Sequence, residues 1–163
     1  MSLVTTLLSP SSSTFSGDIT ASGLVIDGVE LLFKTGTLSN ANLTGMYATP
    51  VELIAAPGLA KAIIMHRAFL QHEYSTAAFT GGGSIVIQYD DTANGAGIQA
   101  TNDISSGLLT AAFQRGQMQN GQLPDTLTVN YENIGIYISN TSAAFATGDG
   151  TASYVLWYSL IDV

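Results

Sequence analysis

Apolar residues in this chain come in short bursts of strand length, separated by turn-forming residues. The bursts are rich in β-branched and aromatic side chains, which favour pleated surfaces, and Gly-rich or Asn-Gly stretches lie between them. They predict about eight β-strands, of which the clearest are residues 24–33, 50–56, 61–73, 84–89, 126–131, 134–139 and 153–161. Asp27-Gly28 inside the first burst predicts a tight hairpin turn, or else a bulge. Only residues 105–113 have helix-like spacing of apolar positions, and a strand is the alternative there.

The burst at residues 61–73 is the longest, and it carries apolar side chains on both faces of the predicted strand. Strands that are covered on both sides show this pattern. We therefore predict that this strand lies centrally in a sheet or at a subunit interface. Its two faces carry Ile63, Met65 and Phe69, and Ile64, Ala68 and Leu70, respectively.

Many strands without regular helices predict an all-β fold of two packed antiparallel sheets, because a parallel sheet would need helical crossovers. A jelly roll or a related sandwich has this arrangement. We place this domain at residues 24–163, a length for which one domain is usual. Residues 1–23 are rich in Ser and Thr, with isolated apolar positions that cannot form a core. We interpret them as an extended N-terminal arm that docks on a partner, and a frayed terminus is the alternative.

Charge is scarce and mostly negative. Asp, Glu, Lys and Arg make up 10% of the chain, compared with roughly 25% in an average soluble domain, and the formal net charge is −8. Four scattered cations cannot form a phosphate-binding stripe, so we expect no nucleic-acid partner. No apolar stretch approaches the ~20 residues of a membrane span, so we expect no membrane partner. Cysteine is absent, which excludes disulfides and thiolate metal sites.

No motif in the sequence predicts catalysis. Asp90-Asp-Thr-Ala-Asn-Gly95 begins like a calcium loop but lacks the closing glutamate, and an Asn-Gly turn is the simpler interpretation. His66 and His72 would lie about 20 Å apart on an extended strand, too far to share a metal ion. The strained turn of serine hydrolases is absent, and nothing in the sequence pairs carboxylates as glycoside hydrolysis requires. We therefore expect no enzyme, no cofactor and no metal site.

Aromatic residues concentrate in the last third of the chain. On the strand predicted at residues 153–161, Val155, Trp157 and Ser159 share one face, while Tyr154 and Tyr158 belong to the other. We interpret this segment as a core strand anchored by Trp157. The alternative is an exposed aromatic face that contacts another subunit or a sugar.

Several stretches of the sequence resemble small structural proteins of tailed bacteriophage virions. They are Gly45-Met-Tyr47, Pro50-Val-Glu-Leu53, Pro57-Gly58, Ile63-Ile-Met-His-Arg-Ala68, Ala77-Ala-Phe-Thr-Gly-Gly-Gly83 and Ala152-Ser-Tyr-Val-Leu-Trp-Tyr158. The resemblance covers most of residues 45–163 and consists of strand and turn patterns without a chemical signature. It implies a jelly-roll-like capsid decoration (cement) protein, commonly trimeric and bound outside a shell of major capsid proteins.

The resemblance sets our expectations for partners and sites. We expect a homotrimer on the outer capsid surface of a virion, made in the host cytoplasm, with the major capsid protein as its partner. The hypothetical capsid contacts of the arm are Leu3, Leu7, Leu8 and Phe15. The hypothetical subunit interface consists of Ile63, Met65, Phe69, Tyr154, Trp157 and Tyr158. The alternative function is a receptor- or carbohydrate-binding domain of a tail fibre or spike, with exposed aromatic and amide clusters in loops near Tyr47, Tyr74 and Tyr131.

Overall fold

The computed structural model describes residues 24–26, 29–122 and 130–163. The predicted arm, with Leu3, Leu7, Leu8 and Phe15, lies outside the described residues. Within those ranges the chain forms eleven β-strands, two short helices and one 3-10 turn. They are β1 (Leu24–Ile26), β2 (Val29–Leu38), α1 (Asn40–Gly45), β3 (Val51–Ile54), β4 (Lys61–Glu73), β5 (Thr80–Gly81), β6 (Ile85–Tyr89), the 3-10 turn (Ala93–Gly95), β7 (Ile98–Gln99), α2 (Gly107–Thr110), β8 (Arg115–Asn120), β9 (Ile136–Asn140), β10 (Phe145–Ala146) and β11 (Thr151–Asp162).

Two antiparallel sheets form the body of the domain. One has five strands in the order β1-β2-β11-β4-β8, and the other has four in the order β3-β9-β6-β7. β5 and β10 pair as a small separate ribbon. The chain passes from one sheet to the other at most of its connections, so β2 and β11, far apart in sequence, become neighbours. This is the strand order of a jelly roll, and it confirms the all-β, two-sheet fold predicted from the sequence.

Most of the predicted elements are present. β3, β4, β6 and β9 lie at the predicted positions within one or two residues, and β11 extends beyond its predicted ends. β1 and β2 form the predicted hairpin, with Ile26 opposite Val29, and the turn residues Asp27 and Gly28 lie outside the described residues. α2 lies inside the segment 105–113. The strand predicted at residues 126–131 falls largely outside the described residues.

The core lies between the inner faces of the two sheets, where alternate residues of each strand point toward the opposite sheet. Tyr89 of β6 donates a hydrogen bond from its hydroxyl to the Ile63 carbonyl of β4, at 3.0 Å. Burial raises the pKa of Tyr89 to about 12. This hydroxyl therefore joins the two sheets through a hydrogen bond as well as through packing. Other fully buried core residues are Leu70, Ile85, Ile87, Ile136, Ile138 and Leu156.

A β-bulge interrupts β4. Trp157 of β11 lies opposite Arg67, but the next residue, Tyr158, lies opposite Met65. His66 is therefore an extra residue on β4, which is the definition of a bulge.

The bulge changes which face of β4 is buried. Successive strand residues point to opposite sides, so one inserted residue reverses the alternation. The apolar residues on both faces of β4 thus reflect this change of face. β4 does lie between β11 and β8, inside its sheet, as predicted. Apart from Ala62, the buried residues of β4 are Ile63 and Met65 before the bulge, and Ala68, Leu70 and His72 after it.

The outer face of the four-stranded sheet is covered by the chain's own loops. Gln88 and Ser139 point away from the core and are nevertheless fully buried. Gln88 Nε2 donates to the Thr92 carbonyl at 2.6 Å, and Ser139 Oγ donates to the Met46 carbonyl at 2.9 Å. Buried polar side chains need such partners, so these two residues hold the loops against the sheet.

Candidate functional site

The outer face of the five-stranded sheet carries apolar and aromatic side chains. Residues directly opposite one another in antiparallel strands share a face of the sheet. One row across the sheet contains Phe33, Trp157 and Arg67, and the next contains Val155, Phe69 and Met118. We refer to Phe33, Phe69, Met118, Val155 and Trp157 as the open face.

The open face is accessible to solvent. Phe33 is 57% exposed and Met118 is 49% exposed, while Phe69, Val155 and Trp157 are half-buried. These side chains adjoin one another in two rows, so they form a patch and are not isolated apolar residues. Contiguous exposed apolar patches on soluble domains mark interaction sites.

A glycine in β8 makes room for one ring of the open face. A Cβ built on Gly116 would lie 2.7 Å from the Phe69 ring. Because real Cβ atoms do not approach other atoms so closely, any larger residue at position 116 would displace the ring. The position of Phe69 on the surface therefore depends on Gly116.

A shallow depression of about 510 Å³ lies at one end of the open face. Its lining residues come from four strands, so its shape is fixed by the sheet and by no single loop. At the bulge, His66 Nε2 is 2.7 Å from Ser159 Oγ, and this hydrogen bond holds the imidazole at the edge of the depression. The lining residues are Leu31, His66, Arg67, Met118 and Trp157.

Arg67 is the cation of this depression, and it is exposed. In the part of the chain that the structure describes, the one salt bridge joins Lys61 and Asp162, at 3.0 Å. Arg115 lies elsewhere, with its guanidinium 5.7 Å from the centre of the Phe113 ring. The Arg67 guanidinium, next to an indole, is therefore available to a carboxylate from outside the described residues.

Polar side chains bound the open face at its other end. The Glu73 carboxylate accepts hydrogen bonds from Gln71 Nε2 (2.6 Å), from Gln114 Nε2 and from Ser153 Oγ (3.4 Å). These groups satisfy one another and give that end of the sheet a polar border. The apolar surface consequently has a defined limit.

The structure separates the predicted interface residues into three groups. Ile63, Met65 and Tyr154 are buried in the core of their own chain, so in this conformation they have no surface to offer a partner. Tyr158 is half-buried and packs against that core. Phe69 and Trp157 lie on the open face, and for them the interface stays a prediction.

Trp157 is not the core anchor that the sequence suggested. The residues of β11 that point into the core are Ala152, Tyr154 and Leu156, and Trp157 points to the opposite side. The sequence interpretation also missed Phe33 and Met118 as members of the same surface. One feature of the sequence indicated that Trp157 lies on the outer side of the sheet. It alternates with Ser153, Val155 and Ser159 on one face of the strand, and serines on one face of a strand favour the outer side.

The other candidate motifs are structural. Asn94 and Gly95 both have positive φ angles, at 64° and 65°, as an Asn-Gly turn requires. The Asp90 carboxylate accepts a hydrogen bond from the Thr92 amide at 2.8 Å and so closes a local turn. Among the residues that the structure describes, no group of three or more His, Asp or Glu could hold a metal ion, and no helix is long and apolar enough to cross a membrane.

His72 differs from His66 although both lie on β4. It is fully buried on the inner face, with its ring centre 5.7 Å from that of Phe79. Within the described residues neither ring nitrogen makes a well-aligned hydrogen bond. Burial lowers the pKa of His72 below its usual 6.5, and the nearby Leu108 backbone and Glu73 carboxylate oppose this only in part.

No family model matches the sequence, and no curated protein matches it. A chain of the capsid of Ralstonia phage GP4 is similar over 89% of this chain and 90% of that chain, with 14% sequence identity and a TM-score of 0.41. This similarity is too low to assign a family or a function, so the function is inferred from the chain's own surface.

Proposed function

We propose that this protein is a structural component of a tailed-phage virion that binds the outside of the head and stabilises it by bridging major capsid proteins. The observation that carries the proposal is the open face, an apolar surface on a rigid sheet. Such a surface gains free energy when a partner covers it. Assembly with a partner uses this gain in free energy directly, whereas catalysis does not require it.

Repetition makes a modest surface sufficient for such a role. Burial of apolar area contributes roughly 25 cal/mol per Å² before the costs of association. On a shell, each copy that binds one capsid subunit is held close to the next, so further contacts form at high effective concentration. The acidic balance of the chain, a net charge of −8, favours the outer side of a shell that encloses DNA.

Two finer features belong to the same proposal. The arm residues Leu3, Leu7, Leu8 and Phe15 contact the shell, and the protein acts as a homotrimer. Light scattering at micromolar concentration tests the second point. A mass equal to three chains supports it, and a mass equal to one chain contradicts it.

The role of the open face is tested with the substitution Phe33→Ser and heads that lack the protein. We expect the variant to bind heads about tenfold more weakly, since an aromatic side chain at the centre of an interface contributes 1.4 kcal/mol or more. Leu59→Ser is the matched control, because Leu59 is 80% exposed but lies in the loop between β3 and β4. Co-sedimentation measures both affinities. Equal binding of the two variants would show that the open face is not the docking surface.

The location on the particle separates decoration from receptor binding. Antibodies against the chain should label the head surface of intact virions in electron micrographs. Label confined to the tail would contradict decoration and favour the receptor-binding alternative, which a glycan array would then examine. Of the loop aromatics that the alternative requires, Tyr131 packs on Tyr89 with ring centres 4.9 Å apart, and its hydroxyl is buried.

A further inference from the structure

Arg67 places a positive charge within the apolar open face. It lies directly opposite Trp157 in the sheet and lines the same depression. By strand alternation, the other charged side chain that the described strands of this sheet place on that side is Glu73. Glu73 lies six residues further along β4, which is about 20 Å in an extended strand. The depression therefore carries a positive charge in a chain whose net charge is −8.

The Arg67 guanidinium has no carboxylate partner in the described part of the chain. Glu73 accepts hydrogen bonds from side chains beside it. The one salt bridge among the described residues lies elsewhere, between Lys61 and Asp162. Because Arg67 is exposed, water solvates its guanidinium in the free protein. Its hydrogen-bond donors are therefore open to a ligand.

A partner that covers the open face has to satisfy this cation. Taking a guanidinium out of water is costly unless a counter-charge and hydrogen bonds replace the water. A carboxylate supplies both, because its two oxygens accept two parallel hydrogen bonds from a guanidinium. A partner without a carboxylate would lose much of the free energy that it gains by covering Phe33 and Trp157. The charge on the face thus specifies an acidic group on the partner.

A single cation also limits the class of ligand. A nucleic acid or another polyanion needs several cations along its length, and a net charge of −8 repels ligands that carry many negative charges. A single carboxylate flanked by apolar side chains complements the depression. Its lining groups besides Arg67 are the imidazole of His66 and the apolar side chains of Leu31, Met118 and Trp157.

The dimensions of the depression fit an extended peptide. Leu31 lies in the row of Ser159, and Met118 lies in the row of Val155, four residues away along β11. Across the sheet, three strand spacings separate β2 from β8. Together these offsets amount to about 20 Å, which roughly seven residues span when extended. Alternate side chains of such a peptide face the same side, so the residues that contact the sheet occupy every second position.

We propose that the depression binds an extended peptide segment of the capsid partner that carries one aspartate or glutamate among apolar residues. The carboxylate pairs with the Arg67 guanidinium, and apolar side chains at alternate positions pack on Leu31, Trp157 and Met118. The assignment of this segment to a capsid protein rests on the proposed function, whereas the preference for a carboxylate beside apolar groups does not.

The chain's single tryptophan, Trp157, lines the depression and reports directly on binding. The probe is the peptide acetyl-Leu-Ser-Leu-Ser-Glu-Ser-Leu-amide, and its control has glutamine in place of the glutamate. Titration followed by Trp157 emission should show about fivefold tighter binding of the glutamate peptide, which is the upper end for a solvent-accessible ion pair. Equal binding of the two peptides, or no response to either, would overturn the proposal.

Variants of Arg67 identify the group that selects the carboxylate. Arg67→Gln should bind both peptides equally, and Arg67→Glu should prefer a peptide with lysine in place of the glutamate. Arg115→Gln is the matched control and should keep the preference, because Arg115 lies opposite His72 on the inner side of the same sheet. A preference for glutamate that survives Arg67→Gln would contradict the assignment. Circular dichroism establishes that each variant is folded.

Propionate tests whether the ligand is a peptide or a small carboxylate. It offers the same charge with little apolar surface, so it should bind far more weakly than the glutamate peptide. Equal affinities would contradict the choice of a peptide.

Binding to heads that lack the protein tests the source of the segment. Arg67→Gln should bind these heads about fivefold more weakly in co-sedimentation, in line with its loss of the ion pair. Unchanged binding of this variant, with the peptide preference of the unmodified protein intact, would contradict the capsid origin of the segment. Failure of the unmodified protein to bind heads would contradict the proposed function, and the peptide titrations on free protein would still decide the chemistry of the depression.

Discussion

The two sheets of this jelly roll differ in how their outer faces are finished. On the four-stranded sheet, Val86, Gln88 and Ser139 point outward and are fully buried under loops that the two polar residues hold by hydrogen bonds. On the five-stranded sheet, Phe33 and Met118 point outward and are about half exposed. One face is completed by the chain's described residues, and the other is left apolar and open.

The difference shows where to expect a partner. A covered face contributes to the stability of the domain, because its side chains are already removed from water. An open apolar face contributes little to folding and gains only when another surface covers it. Substitutions at equivalent positions on the two faces should therefore affect different properties. On the covered face they should lower the stability of the fold, and on the open face they should weaken assembly.

The largest expected difference comes from placing an aspartate on each outer face. Val86→Asp buries a carboxylate without a partner and should lower the free energy of unfolding by about 4 kcal/mol. Val155→Asp, on the half-buried open face, should cost about 1 kcal/mol or less. Urea denaturation followed by circular dichroism measures both. Similar losses in the two variants would mean that the open face is as well covered as the other.

A smaller effect is expected at the glycine beside the bulge of β4. The Gly121 amide donates to the His66 carbonyl at 2.7 Å, and a Cβ at this position would lie 1.8 Å from the Met65 carbonyl oxygen. Gly121→Ala should therefore cost about 3 kcal/mol, through overpacking and displacement of backbone.

The bulge also positions Arg67 next to Trp157, so Gly121→Ala should change the Trp157 emission in the folded protein. Gly45→Ala is the matched control, because nothing lies within 4 Å of the Cβ that it adds. It should change the free energy of unfolding by less than about 1 kcal/mol. Equal stability of the two variants in urea would show that the bulge relaxes without cost.

The sequence was sufficient to predict the class of fold, because the long strands have a strong local signal. β8 was missed because its inward-facing residues are polar. Gln119 Nε2 donates to the Asp103 carbonyl at 2.8 Å, and Gln117 Oε1 accepts from the Ser105 amide at 3.2 Å. These glutamines hold a loop over the edge strand in place of an apolar contact, so the usual alternation is absent.

The open face could not be predicted from local pattern alone. It exists because β2 pairs with β11, which places Phe33 beside Trp157 although the two residues are far apart in sequence. It also depends on the bulge at His66, which reverses the faces of β4 within the strand. Sequence periodicity predicts the two faces of a strand, but only the pairing and the topology determine which face meets the core.

The smallest expected effect separates the two histidines of β4, one on each side of the same sheet. Because burial holds the pKa of His72 below 6.5 in the folded chain, the unfolded chain takes up a proton first as the pH falls. The stability is therefore complete above pH 6.5 and declines as the pH falls below it, until the folded chain also becomes protonated. For one proton the slope is at most about 1.4 kcal/mol per pH unit.

His72→Phe should remove this slope, whereas His66→Gln, on the exposed face, should keep it. Urea denaturation between pH 5 and 8 measures the slope for each variant, and a slope that survives His72→Phe would assign the acid sensitivity to another group.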